Sequence, residues 1–115
     1  MALENWKTQL RKGFLDLCIL NSLRKRPFYG YDLVQDLKEI EVLQMREGTI
    51  YPILARLEED RLVTSSMERS SNGPPRKVFR ITPAGQNAVA DMNAHWQQLV
   101  AAVARSASDS KGGKP

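Results

Sequence analysis

The stretch REGTIYPILARLEEDRLV, residues 46–63, decides the fold. Ile50, Ile53, Leu54 and Leu57 recur at i, i+3, i+4 and i+7, which makes one buried stripe of an amphipathic helix. Gly48, Thr49 and Pro52, all weak helix formers, share the opposite, outward face with Ala55 and Arg56 and crowd its N-terminal turn. Proline is tolerated near that end, where backbone N–H groups lack intrahelical partners, and Thr49 can help satisfy those donors. Small residues at a helix N-terminus also let something large come close.

Upstream, residues 6–25 carry apolar groups on more than one helical face, with Leu10, Phe14 and Leu17 on one side and Leu15, Ile19 and Leu23 on another. So wide an apolar surface needs two partners, for instance the chain's own core and a second subunit. Pro27 ends this helix. A second one is expected over residues 29–40, with Leu33, Val34, Leu37 and Ile40 turned inward, and EVLQMRE reads as a turn.

Downstream, LVTSSMERSS, NGPP and RKVFRIT read as a two-stranded hairpin with Asn72-Gly73 at its tip. Arg69, Arg76, Lys77 and Arg80 lie on it, with Glu68 as the one nearby acid. Thr82 is the expected N-cap of a last helix, with Pro83 at its first position. Val89, Met92, Trp96, Leu99 and Val103 follow at spacings of 3 and 4, the rhythm of a coiled-coil seam, and a seam without an intrachain partner points to a dimer. The tail SASDSKGGKP is small, polar and glycine-rich and is expected to be disordered.

At 115 residues the chain has room for one core. Its formal net charge of +4 suggests an anionic partner only because the bases cluster on the hairpin. Cys18, the sole cysteine, excludes an intrachain disulfide and reads as a small buried hydrophobe. MALENWKTQLRK at the start lacks the apolar run of a signal peptide, and no stretch approaches the ~18 apolar residues of a membrane span. The expected location is the cytoplasm. His95 stands alone, and Glu58, Glu59 and Asp60 point in different directions from a helix end. No nucleophile with a base, phosphate-cradling loop or metal constellation occurs, so neither an enzyme nor a cofactor is expected.

The fold class is therefore mainly α with a small β-hairpin: a winged helix-turn-helix over residues 1–83, a dimerisation helix over 84–106 and a tail over 107–115. In that geometry the third helix enters the major groove of DNA by its N-terminal end, and the wing reaches a neighbouring phosphate strand or minor groove. Gly48 and Thr49 would let backbone N–H groups and the helix dipole approach phosphate. A module that binds protein on the same scaffold is the alternative.

FYGYDL, EGTIYPILARLEEDRLV and NGPPRKVFRITPAG together resemble the PadR family of bacterial transcriptional regulators, in its short form with a single C-terminal helix, over residues 15–85. The resemblance implies a homodimeric repressor that binds an inverted-repeat operator in double-stranded DNA and is released by a small molecule or a stress signal. It places Tyr29, Tyr31, Thr49, Tyr51, Pro52, Arg56, Arg76 and Lys77 toward DNA. For Arg56 a surface salt bridge with Glu59 or Asp60 is the other reading. Phe14, Val89, Met92, Trp96, Leu99 and Val103 are the expected dimer residues. Trp96, with Met92, is either plain dimer core or half of a slot in which two symmetry-related indoles stack a planar aromatic effector. Two departures stand out: Phe79 replaces a frequent tyrosine, and Arg61 stands where the family usually has a glycine. At that left-handed helix cap an arginine costs about 1 kcal/mol, so either the turn differs or the strain is borne.

Overall fold

Proline chemistry sets the first boundary of the chain. The computed structural model describes residues 1–109; of the tail expected to be disordered, Ser106 and Ala107 belong instead to the last helix, and residues 110–115 lie outside the described residues. Helix α1 runs over Ala2–Lys25 and stops at Arg26, whose extended backbone (φ −172°) is what a following proline enforces. Strand β1 (Phe28–Tyr29), α2 (Gly30–Lys38), a 3₁₀ turn (Glu41–Leu43), α3 (Glu47–Glu59), β2 (Val63–Glu68), β3 (Arg76–Ile81) and α4 (Pro83–Ala107) follow.

The sheet corrects the expected two-stranded hairpin. Its order is β1-β3-β2, all antiparallel, with Phe28 opposite Phe79 and Tyr29 opposite Val78. Tyr29 therefore belongs to a strand and not to the second helix, which starts at Gly30. The same helix ends at Lys38, so the inward projection assumed for Ile40 lapses. That side chain is 48% exposed, and Met45, in the segment read only as a turn, enters the core instead. Ile19, Leu20, Leu23, Leu33, Leu37, Ile50, Leu54, Leu57, Val63, Phe79 and Val89 join it in one cluster. Each fully buried leucine or isoleucine contributes on the order of 2 kcal/mol of transfer free energy.

Helix α3 closes on a Schellman motif. Leu62 donates its N–H to the Leu57 carbonyl and Arg61 to that of Glu58, both at 3.0 Å. Arg61 sits at φ 64°, the left-handed region, so the turn is kept and the strain is borne. Its carbonyl accepts the Thr82 hydroxyl at 2.8 Å. Arg61→Gly should therefore raise stability by about 0.5–1 kcal/mol, the left-handed penalty less the extra freedom of unfolded glycine. A higher urea midpoint at unchanged slope checks it; an equal or lower midpoint refutes it.

Thr82 caps α4 as expected, its side chain accepting from the Gly85 N–H at 2.9 Å, with Pro83 at the first position. Gly85 is pressed against the Leu62 backbone carbonyl and the Ile81 side chain. Val89 is 0% exposed within its own chain, which removes it from the expected dimer contacts: the helix's first turns pack on β3 and α1 before the seam begins. Asn21 and Asn93 then tie α1 to α4 by reciprocal amide hydrogen bonds of 3.1 and 2.8 Å, and Phe14 meets Trp96 edge to face at 6.0 Å. Beyond that point α4 leaves the core, and Leu99, Val100 and Val103 are exposed.

Candidate nucleic-acid interface

The front of α3 is open. Arg46 is its N-cap and no side chain caps the helix; Thr49, expected to satisfy a free donor, is half-buried and makes no such bond. A Cβ built on Gly48 would meet nothing within 4 Å, so packing inside the chain gives no reason for the missing side chain. Pro52 is further along than expected: α3 starts at Glu47, which puts the proline beyond the first turn, where its lost N–H leaves the Gly48 carbonyl without its helical donor. Both residues are exposed, so water or a partner can satisfy that carbonyl.

Beside this front, Tyr29 of β1, Tyr31 of α2, Tyr51 of α3 and Arg76 and Lys77 of β3 line one depression of about 220 Å³. Gly30 forms its floor: a Cβ there would stand 2.8 Å from the Tyr51 hydroxyl, so the tyrosine ring lies directly on the glycine. FYGYDL carries that signal as a glycine between two tyrosines, though its partner on α3 is not legible from the motif alone. Loss of hydration, and then the charge of Glu47, raise the Tyr51 phenol above its ordinary pKa. Its hydroxyl stays protonated at neutral pH and can donate to an anion.

The wing's cations differ from one another. Arg80 is neutralised by Glu68 at 2.6 Å. The Arg76 guanidinium lies 4.1 Å over the Tyr29 ring and the Lys77 ammonium 5.5 Å from the centre of Phe79, so aromatic faces orient both and leave their charges unpaired. Neither has a carboxylate partner among the described residues.

Arg56 stands apart from this group. It makes a two-pronged ion pair with Asp16 of α1 (2.8 and 2.9 Å), in place of the Glu59 or Asp60 pairing. Glu58 accepts the Ser65 hydroxyl at 2.7 Å and so fastens α3 to β2.

A second depression, about 290 Å³, opens between α1 and α4, lined by Phe14, Leu17, Met92, His95, Trp96 and Leu99. Val103 is exposed one turn further on. Among the described residues no cluster could hold a metal ion, and no helix is long and apolar enough to cross a membrane. Burial raises the Cys18 thiol above its ordinary pKa, which keeps it protonated and weakly reactive.

Three helices, a three-stranded wing and an open N-terminal turn on the third helix define a winged helix-turn-helix protein. The chain belongs to the PadR-like family of transcriptional regulators, whose family model matches residues 19–91. It is thus a member of a family of regulators, not of enzymes. The transcriptional regulator Rv3488 of Mycobacterium tuberculosis is 31% identical over 104 residues, covering 90% of this chain and 95% of that one. A PadR-like transcription factor from Bacteroides fragilis is 40% identical, with a TM-score of 0.73 over 90% of this chain and 99% of the other. PadR of Bacillus subtilis, solved in complex with operator DNA, is 28% identical, with a TM-score of 0.60 over 68% of this chain and 45% of its own.

Proposed function

We propose that this protein is a homodimeric repressor that binds an inverted-repeat operator, using α3 and the wing to hold DNA and the distal half of α4 to hold the dimer. One observation carries the DNA reading: Tyr29, Tyr31 and Tyr51 converge with the unpaired charges of Arg76 and Lys77 beside an α3 front that nothing among the described residues covers. Tyrosine hydroxyls and free cations at an uncapped helix start suit phosphate oxygens, and Thr49 and Pro52 lie on the same turn. Arg56 joins them if it keeps one edge of its guanidinium free of Asp16. The related Bacillus subtilis protein, solved with operator DNA, supports the reading.

Two exposed apolar stripes support the dimer. Leu3, Trp6 and Leu10 of α1, and Leu99, Val100 and Val103 of α4, are exposed among the described residues, and pairing α4 with α1 of a second copy would bury both. Two-fold symmetry then sets the half-sites about 10 bp, or a multiple of it, apart. Sedimentation at micromolar concentration should give a dimer mass, and binding to the DNA upstream of the protein's own gene should weaken steeply with salt. A monomer refutes the assembly. Absence of duplex binding refutes the DNA reading and favours the protein-binding alternative.

The depression at Phe14, Met92 and Trp96 suits a planar aromatic effector if the partner's equivalent surface faces it across the two-fold axis. Such a compound should quench tryptophan fluorescence, and Trp96→Ala should abolish the effect while Trp6 remains as an internal control. Release of DNA follows only if effector and operator prefer different separations of the two recognition helices. A ligand that quenches yet leaves operator affinity unchanged refutes induction, and no quenching by any planar compound makes Trp96 plain dimer core.

A further inference from the structure

The wing is not the only basic flank of α3. A groove of about 360 Å³ runs between α1 and the start of α3, and Thr8, Arg11, Lys12, Gln44, Arg46 and Thr49 line it. Thr49 and Tyr51 are two residues apart and so face different sides of α3, which puts this groove and the tyrosine depression on separate flanks of one helix.

Its charges are not neutralised. Lys7, Arg56 and Arg80 are paired with Glu4, Asp16 and Glu68. Among the described residues Arg11, Lys12 and Arg46 have no carboxylate in reach, and Arg11 touches only the Thr8 hydroxyl, at 3.5 Å. Asp16, one turn beyond Lys12, would be the natural neutraliser, but both its oxygens are on Arg56. That ion pair leaves the flanking cations unbalanced.

The groove also stays open in a dimer. At 3.6 residues per turn, Thr8, Arg11 and Lys12 point away from Leu3, Trp6 and Leu10, the stripe a second copy would cover. We infer that Arg11, Lys12 and Arg46 form a second phosphate-binding surface, which holds the DNA backbone on the flank of α3 away from the wing, so that cations bracket the recognition helix on both sides. This rests on α3 being the helix that enters the groove. A backbone contact of this kind adds affinity for any duplex and no discrimination between sequences.

The test measures binding constants against salt for an operator duplex and a scrambled duplex, using the dimeric parent, Arg11→Gln/Lys12→Gln, and the charge-keeping exchange Arg11→Lys/Lys12→Arg. The glutamine variant should lose about 2 from the logarithmic salt slope per protomer on both duplexes, with their affinity ratio and the melting temperature unchanged. The exchange variant should keep the parental slope. A parent that binds with salt dependence and a glutamine variant with the same slope overturns this surface alone. Loss confined to the operator also overturns it, because the residues would then be reading bases. A parent that binds no duplex overturns the reading of α3 and this inference with it. Inorganic phosphate should compete with the duplex no better than chloride at equal ionic strength; stronger competition would make the groove a site for the free anion and overturn the backbone assignment.

Discussion

Gly85→Ala is expected to cost about 3 kcal/mol, and with it roughly 10–20 °C in Tm. The added methyl would run into the Leu62 backbone carbonyl, a group that cannot turn aside as a side chain can, and into Ile81. Retreat would pull the first turn of α4 off the α3–β2 junction, where Thr82 bonds both the Arg61 carbonyl and the Gly85 N–H. Thermal melting checks this. A Tm within 3 °C or so of the parent would mean that the close approach is loose and that the glycine has another origin.

Replacing Arg76 and Lys77 together by alanine should weaken binding to every duplex by roughly 100-fold or more at physiological salt and flatten the logarithmic salt slope by about 2 per protomer. Both side chains are exposed and have no carboxylate partner among the described residues, so the fold should survive the loss of their contacts with the Tyr29 and Phe79 rings. Arg80→Ala is the natural control: its charge is already balanced by Glu68, and the slope should fall by much less. Equal slope losses for the two variants would mean that the Glu68 pair opens on binding; no loss for the double variant would remove the wing from the phosphates.

The residues that were legible in the sequence are those whose partners follow from a period. Of the stripe Ile50, Ile53, Leu54 and Leu57, all but the half-buried Ile53 are buried as the spacing demands, and Thr82-Pro83 starts a helix because both the cap and the proline act locally. Strand β1 was not legible. Two residues carry no alternation, and only the edge of β3 makes Phe28 and Tyr29 a strand. Val89 continues the spacing of the α4 seam, yet the packing of that helix on α1 and β3 buries it in the chain's own core. Arg56 and Asp16 are 40 positions apart, so nearby acids looked like the natural partners and distance in the chain hid the real one. The tyrosines and Arg76 were readable as residue types through family resemblance. Their convergence on Gly30 came only from the fold.

The amide pair between Asn21 and Asn93 has a consequence for every salt titration described above. It carries no charge and has no ionisable group, so this link between α1 and α4 is not screened by added salt. Apolar burial and edge-to-face aromatic packing at Phe14 and Trp96 behave in the same way. If the proposed dimer forms through α4, the spacing of its two α3 helices depends on a joint that salt does not screen, while the surfaces proposed to hold DNA are strongly ionic. In a salt titration of the proposed complex the grip is then expected to change and this joint is not, so that the slope counts phosphates.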